Sequence, residues 1–164
     1  MRGLEFGTKV ELHGLQCAVA TNIVAGLYEK VLTLSPDKNK ALDFVSQFDY
    51  EKKKAELRTL LGGAAETMIA LEQKEQKYSK EKHAKRLNII IEKWDKICQI
   101  IQEEIPTKQE IDTILETIGS PKTVEEIGVC CDLHEVLKAT QDIRDKYVLS
   151  RLLWDLGVIE EITL

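Results

Sequence analysis

The stretch Leu12-His13-Gly14-Leu15-Gln16-Cys17-Ala18-Val19-Ala20-Thr21 sets a histidine at the mouth of a segment with no charged side chain until Glu29. A helix beginning there brings His13 to its N-terminal end, against the positive pole of the helix dipole. Neutral imidazole, the form such a pole favours, is also the form that binds a metal, which makes His13 the first candidate ligand. One imidazole does not fill a catalytic zinc shell, which takes about three protein ligands and an open position. The other histidines read differently: His83 falls in a charged run and is expected in solvent, and His134 is expected to be structural at a helix start. Of the four cysteines, Cys17, Cys98, Cys130 and Cys131, none forms a C-x-x-C pair. Neighbours such as Cys130 and Cys131 seldom pair or chelate together, and a buried approach to a helix is expected for them. No Ser-His-Asp, Cys-His or P-loop arrangement is legible, and Gly62-Gly63 lacks the strand and helix that a nucleotide-binding glycine loop needs.

Four segments carry a family resemblance. Residues His13–Thr21 resemble the His-Gly-x-x-Val-Gly-x-x-Thr helix start of the iron-containing alcohol dehydrogenase and dehydroquinate synthase-like superfamily, most closely its sn-glycerol-1-phosphate dehydrogenase branch. Ser120–Gly128 is similar to that branch's P-x-T-x-E-E-x-G element, Ala139–Leu149 to its A-x-x-I-R-x-R-Y-T-x-L helix, and Gly157-Val158-Ile159 to its T-G-V-I ending. Cys17 and Ala18 stand where valine and glycine are usual, and Lys146 and Val148 replace arginine and threonine. Lysine cannot reproduce a two-pronged guanidinium contact.

The resemblance implies an NAD(P)-dependent oxidoreductase acting on dihydroxyacetone phosphate or glycerol phosphate. It places a divalent metal (zinc, nickel or iron) between a nucleotide-binding domain and a helical domain, held by one aspartate and two histidines. His13 corresponds to the last of those ligands, and Arg144 and Tyr147 to positions that line the substrate side or brace it. The chain then corresponds to the helical C-terminal domain alone, with Met1 read as an internal methionine and the other two ligands upstream. Such a fragment is expected to be inactive and to bind neither cofactor tightly. Two other readings are a glycerol dehydrogenase or other iron-type alcohol dehydrogenase parent, and a stand-alone α-helical interaction module without catalysis. Homo-oligomerisation is expected in either setting.

Composition bounds these readings. The 164 residues, 43% of them hydrophobic, suffice for one core and a single domain over 1–164. A net charge of −5 with both signs interspersed offers no basic face for nucleic acid. Met1–Gly7 has no apolar core typical of a secretion signal, so a reducing cytoplasm is expected. Leu12 to Tyr28 runs 17 residues without Asp, Glu, Lys or Arg. His13, Gln16, Thr21 and Asn22 would be costly in hydrocarbon, which favours a helix buried in protein over a membrane span.

The elements that must hold these residues are helical throughout, because no alternating β-branched stretch is long enough for a sheet. The periodicity predicts an all-α bundle. Its helices are expected over 12–34, from a Ser35 cap with Pro36 in the first turn through Phe44, and over 50–61 with a stop at Gly62-Gly63. Ala64–Ile105 has no glycine or proline and repeats Leu87, Ile90, Ile91, Trp94, Ile97, Cys98, Ile101 and Ile105 on one face. Its polar part, Glu72–Arg86, reads as either a solvated continuation or a break. Thr107 and Glu110 have capping-box spacing, with Ile111, Ile114, Leu115 and Ile118 expected inward. A short turn over Thr123–Glu126 and final helices carrying Val136, Leu137, Ile143, Tyr147, Leu149, Leu152, Leu153 and Trp154 complete the chain.

Overall fold

The computed structural model describes residues 12–143 and 145–164, and these are helical with no strand among them. The all-α class is therefore the fold class of the protein. Helix α1 spans His13–Val31, α2 Lys38–Ser46 and α3 Tyr50–Leu61, followed by a short 3₁₀ turn over Gly62–Ala64. Then come α4 Ala65–Glu75, α5 Lys80–Glu92, α6 Trp94–Glu104, α7 Lys108–Thr117, α8 Leu133–Thr140 and α9 Leu149–Asp155. No helix among the described residues is long and apolar enough to cross a membrane.

Caps explain most of the boundaries. The second helix starts later than Ser35: Asp37 is its cap, with one carboxylate oxygen accepting from the N–H groups of Asn39 and Lys40 at 2.9 and 3.0 Å. A carboxylate outcompetes a serine hydroxyl here because it also meets the helix dipole with a full negative charge. The expected α3 is found, with Asp49 capping Lys52 N–H and Gly62 leaving the helix at φ 55°. The capping box at Thr107 and Glu110 is also present.

The glycine-free run does not stay one helix. Gln76 takes the left-handed conformation at φ 53°, ending α4, and Ser79 caps α5 through Lys82 N–H. Burial of Tyr78, whose N–H donates to Glu72, accompanies the bend. The polar span is thus a break. At α7 the expectation of four inward isoleucine and leucine positions fails: Leu115 is buried, but Ile114 and Ile118 are 54% and 67% exposed. Residues four apart share a face, and that face of α7 is not the one packed on α1. Val136 and Ile143 are likewise exposed.

The chain divides into two compact units. The first contains the described residues up to Ser35 with Asp95–Asp132; here α1 and α7 pack together. Glu29 accepts from Lys108 N–H at 2.8 Å, and Asn22 donates to the Lys122 carbonyl at 3.2 Å, fixing the Ser120–Gly128 segment to α1. The second, Pro36–Trp94 with Leu133–Thr163, packs α2 and α9 on α5, α3 on α4, and α8 on α9. Phe44, Phe48 and Tyr78 surround Trp154 with ring centroids 5.1–5.9 Å away. Beside this aromatic cluster, Leu57, Ala65, Ile69 and Ala139 form an apolar core of the same unit.

Gly157 closes α9 at φ 70°, and a Cβ there would lie 3.0 Å from Ala41 Cα and 3.1 Å from Phe44 Cβ on α2. Both the left-handed backbone and the close approach require glycine. Gly157→Ala should therefore destabilise the protein by more than about 1 kcal/mol, read as a lower urea midpoint.

Candidate functional site

His13 is the first residue of α1 and is exposed. One turn on, the Cys17 thiol lies 3.5 Å from His13 Nε2 and 3.9 Å from Nδ1, and it too is exposed. A Cys–His arrangement is therefore present, contrary to the sequence reading. The reason is plain helix geometry: positions four apart stack on one face.

That face continues as an uncharged stripe. Cys17, Ala20, Thr21, Val24 and Tyr28 of α1, with Ile105, Pro106 and Ile111, line an open apolar groove of about 400 Å³. Around the rest of its circumference α1 buries Val19, Asn22, Ala25, Leu27 and Val31. The expected buried helix is buried only in part, because the stripe of Cys17, Ala20, Thr21 and Val24 stays exposed along the groove.

Among the described residues no group of three or more His, Cys, Asp or Glu could hold a metal ion. His13 and Cys17 provide two donors. Their chemistry, nitrogen and sulfur, suits zinc-type ions, but it falls short of the three protein ligands of a catalytic shell.

A second concentration of polar groups lies in the other unit and is buried. The Asp155 carboxylate receives Arg86 through Nε and a terminal nitrogen at 2.9 and 2.8 Å, and Tyr147 donates its hydroxyl to the same carboxylate at 2.9 Å. Arg86 also donates to the Lys77 carbonyl at 2.9 Å. Burial by itself would lower the Arg86 pKa, yet the hydrogen bond and charge of Asp155 leave it raised. Burial, then the Asp155 charge and hydrogen bond, hold the Tyr147 phenol well above its usual range. Tyr147 is thereby anchored to α9 with its ring half-exposed, whereas Arg144 lies outside the described residues.

Nearby, Tyr78 donates to Asp142 at 2.7 Å and Lys53 stands 3.3 Å from the other oxygen of that carboxylate. The Arg151 guanidinium carbon lies 4.6 and 4.5 Å from the ring centroids of Tyr78 and Trp154, and the group donates to Gln141 at 3.2 Å. Gln141, Asp142 and Tyr147 all come from the segment that resembles the dehydrogenase helix. The contacts they make are internal to the unit.

His83 is a correction. It is fully buried, edge-on to Trp154, with Nε2 donating to the Asp155 carbonyl at 2.9 Å. Its neighbours Lys80, Glu81, Lys82 and Lys85 do face solvent or its edge, but His83, Leu87 and Ile90 share one helical stripe, and that stripe is the packed one. The spacing to Leu87 was the available signal. His134 donates from Nε2 to the Ile159 carbonyl oxygen at 2.7 Å, a structural contact. Cys130 and Cys131 are exposed rather than buried, because the segment after Gly128, which turns at φ 67°, runs as irregular surface chain up to α8.

No family model, curated protein or solved structure matches the chain.

Burial lowers the His83 pKa, so the unfolded chain binds the proton more readily. Its contribution to stability is complete above the unfolded value of about 6.5 and is lost as pH falls below it. Denaturant unfolding should show stability declining from pH 7 to pH 5, and His83→Gln, which can keep a donor to Asp155, should flatten that decline by up to about 1.4 kcal/mol per pH unit. Asp155→Ala should cost about 3 kcal/mol by stranding Arg86 and Tyr147, measured the same way at pH 7.

Proposed function

We propose that this chain is the helical, metal-side domain of an NAD(P)-dependent oxidoreductase similar to glycerol-1-phosphate dehydrogenase, with His13 as one ligand of a divalent metal. The observation that carries the reading is the placement of His13: an exposed imidazole opening α1, at the head of an uncharged stripe that borders an open groove. The four sequence segments that resemble the family support it. Asn22 ties one of them, Ser120–Gly128, to α1.

When bound, such a metal polarises the carbonyl of dihydroxyacetone phosphate, or the alcohol of glycerol phosphate in reverse, for hydride exchange with nicotinamide. In this reading His13 holds the ion. In the other unit Tyr147 is held by Asp155. The nucleotide and the remaining ligands belong to a domain outside this chain. The site is then incomplete here, and the chain alone is inactive.

The test begins with the genomic sequence directly before the Met1 codon. An in-frame extension encoding an aspartate, a histidine and a strand, glycine-rich turn and helix is expected. The extended protein should reduce dihydroxyacetone phosphate with NADH or NADPH, and His13→Ala should lower kcat/KM at least about 1000-fold, on the order of 4 kcal/mol of transition-state stabilisation. Reduction by the present 164 residues alone would falsify the incomplete site.

Exposed Ile114 and Ile118 on one face of α7 favour a second reading, a self-associating helical module. Sedimentation equilibrium should then give a dimer that Ile118→Glu converts to monomer.

A further inference from the structure

We infer that the second unit holds a binding site for a small apolar α-amino acid, of about leucine's size, in a cavity walled by α2, α3, α8, α9 and the residues just after α9. The site goes beyond the metal reading, which concerns the first unit.

The cavity measures about 250 Å³. That is below the roughly 300–1,000 Å³ of sites for drug-sized ligands, which limits its occupant to a molecule of amino-acid size. Phe44, Phe48 and Ile159 give it an apolar wall. Two buried donors line the same cavity. Trp154 is 2% exposed, and its indole N–H meets no acceptor among the described residues. Lys53 is 6% exposed, and its ammonium has three N–H bonds, of which the Lys138 carbonyl at 3.1 Å and the Asp142 carboxylate at 3.3 Å take two. Folded proteins rarely bury a donor without giving it an acceptor, so these two N–H groups mark a place for a ligand oxygen.

Charge decides the class of ligand. Lys138 pairs with Glu135 and Glu160 at 2.6 and 3.3 Å, Lys53 pairs with Asp142, and Asp49 caps α3. Lys52 and Glu56, one turn apart on α3, are the other charged side chains on the wall, and among the described residues neither has an ion-pair partner. An anion alone would face Glu56 uncompensated, and a cation alone would leave both buried donors unmet. A zwitterion matches the whole set. Its carboxylate takes the N–H groups of Lys53 and Trp154 with Lys52 adding a second cation, its ammonium meets Glu56, and its side group lies on Phe44 and Phe48. Lys52 is exposed, so the cavity opens to solvent at that edge.

Titration of the ¹⁵N-labelled whole chain with L-leucine, followed by NMR on the indole N–H signals, tests this. Trp94→Phe assigns the Trp154 signal. L-leucine is expected to shift that signal saturably, and 4-methylpentanoate and 3-methylbutylamine, which lack its ammonium and its carboxylate, should each bind about tenfold or more weakly. Glu56→Gln should weaken L-leucine about tenfold and leave 4-methylpentanoate unaffected, while Lys52→Gln should weaken both; circular dichroism confirms that each variant is folded. Absence of a saturable Trp154 shift with L-leucine would overturn the site. Equal affinity for L-leucine and 4-methylpentanoate, or L-leucine binding unchanged in Glu56→Gln, would overturn the zwitterion. None of these outcomes bears on His13, so the dehydrogenase reading is tested separately.

Discussion

The second unit depends on one buried carboxylate. Asp155 has no exposed surface, and an ionised carboxylate out of water costs several kcal/mol unless its oxygens are satisfied. Both oxygens are: Arg86 from α5 makes a two-pronged bond, and Tyr147 from the connection before α9 adds its hydroxyl. The main chain of the same residue accepts from His83, one turn before Arg86 on α5. Removing the Asp155 side chain would leave the Arg86 guanidinium without its charge partner and the Tyr147 hydroxyl without its acceptor. The residue therefore fixes where α9 lies on α5, and Trp154 beside it seats the aromatic cluster.

Around that clamp the unit buries a second set of charges, Lys53, Asp142, Arg151 and Glu72, in addition to its apolar core. Arg151 illustrates how they are tolerated. Its guanidinium lies against two aromatic rings and is bonded to Gln141, so the favourable contacts come from π-clouds and an amide rather than from water. Burial nonetheless pulls its pKa down. Such networks specify one arrangement of helices strongly, since any other arrangement leaves a charge unpaired.

The first unit works by the opposite economy. Helix α1 carries apolar residues around its circumference, with part of it packed and a stripe left along a groove. His13 and Cys17 stand exposed at the start of that helix. The contrast separates tasks within the chain: dense internal pairing holds helices in place in one unit, and an accessible, weakly committed surface remains available in the other.

Helix positions were largely legible from residue order. Thr107 with Glu110, Asp49 before α3 and Gly62 after it announce boundaries through local hydrogen bonding and backbone preference, which need no distant partner. His13 at the start of α1 was legible for the same reason. Its companion Cys17 was available in principle from the four-residue spacing, but spacing alone does not say that both side chains face outward. The break at Gln76 was not decidable, because a glutamine adopts φ 53° only when surrounding packing requires it.

The amino-acid order by itself determined the helical class, most caps, and the apolar stripe that begins at His13, since each follows from interactions within a few residues. Only tertiary structure decided that His83 is buried, that Cys130 and Cys131 are exposed, and that Ile114 and Ile118 face outward. Those outcomes turn on which side of a helix meets another element. A charged run such as Lys80–Arg86 hides its buried histidine because neighbours three and four positions away, not adjacent ones, share its face, and Asp155, the group that receives it, lies 72 residues further along the chain.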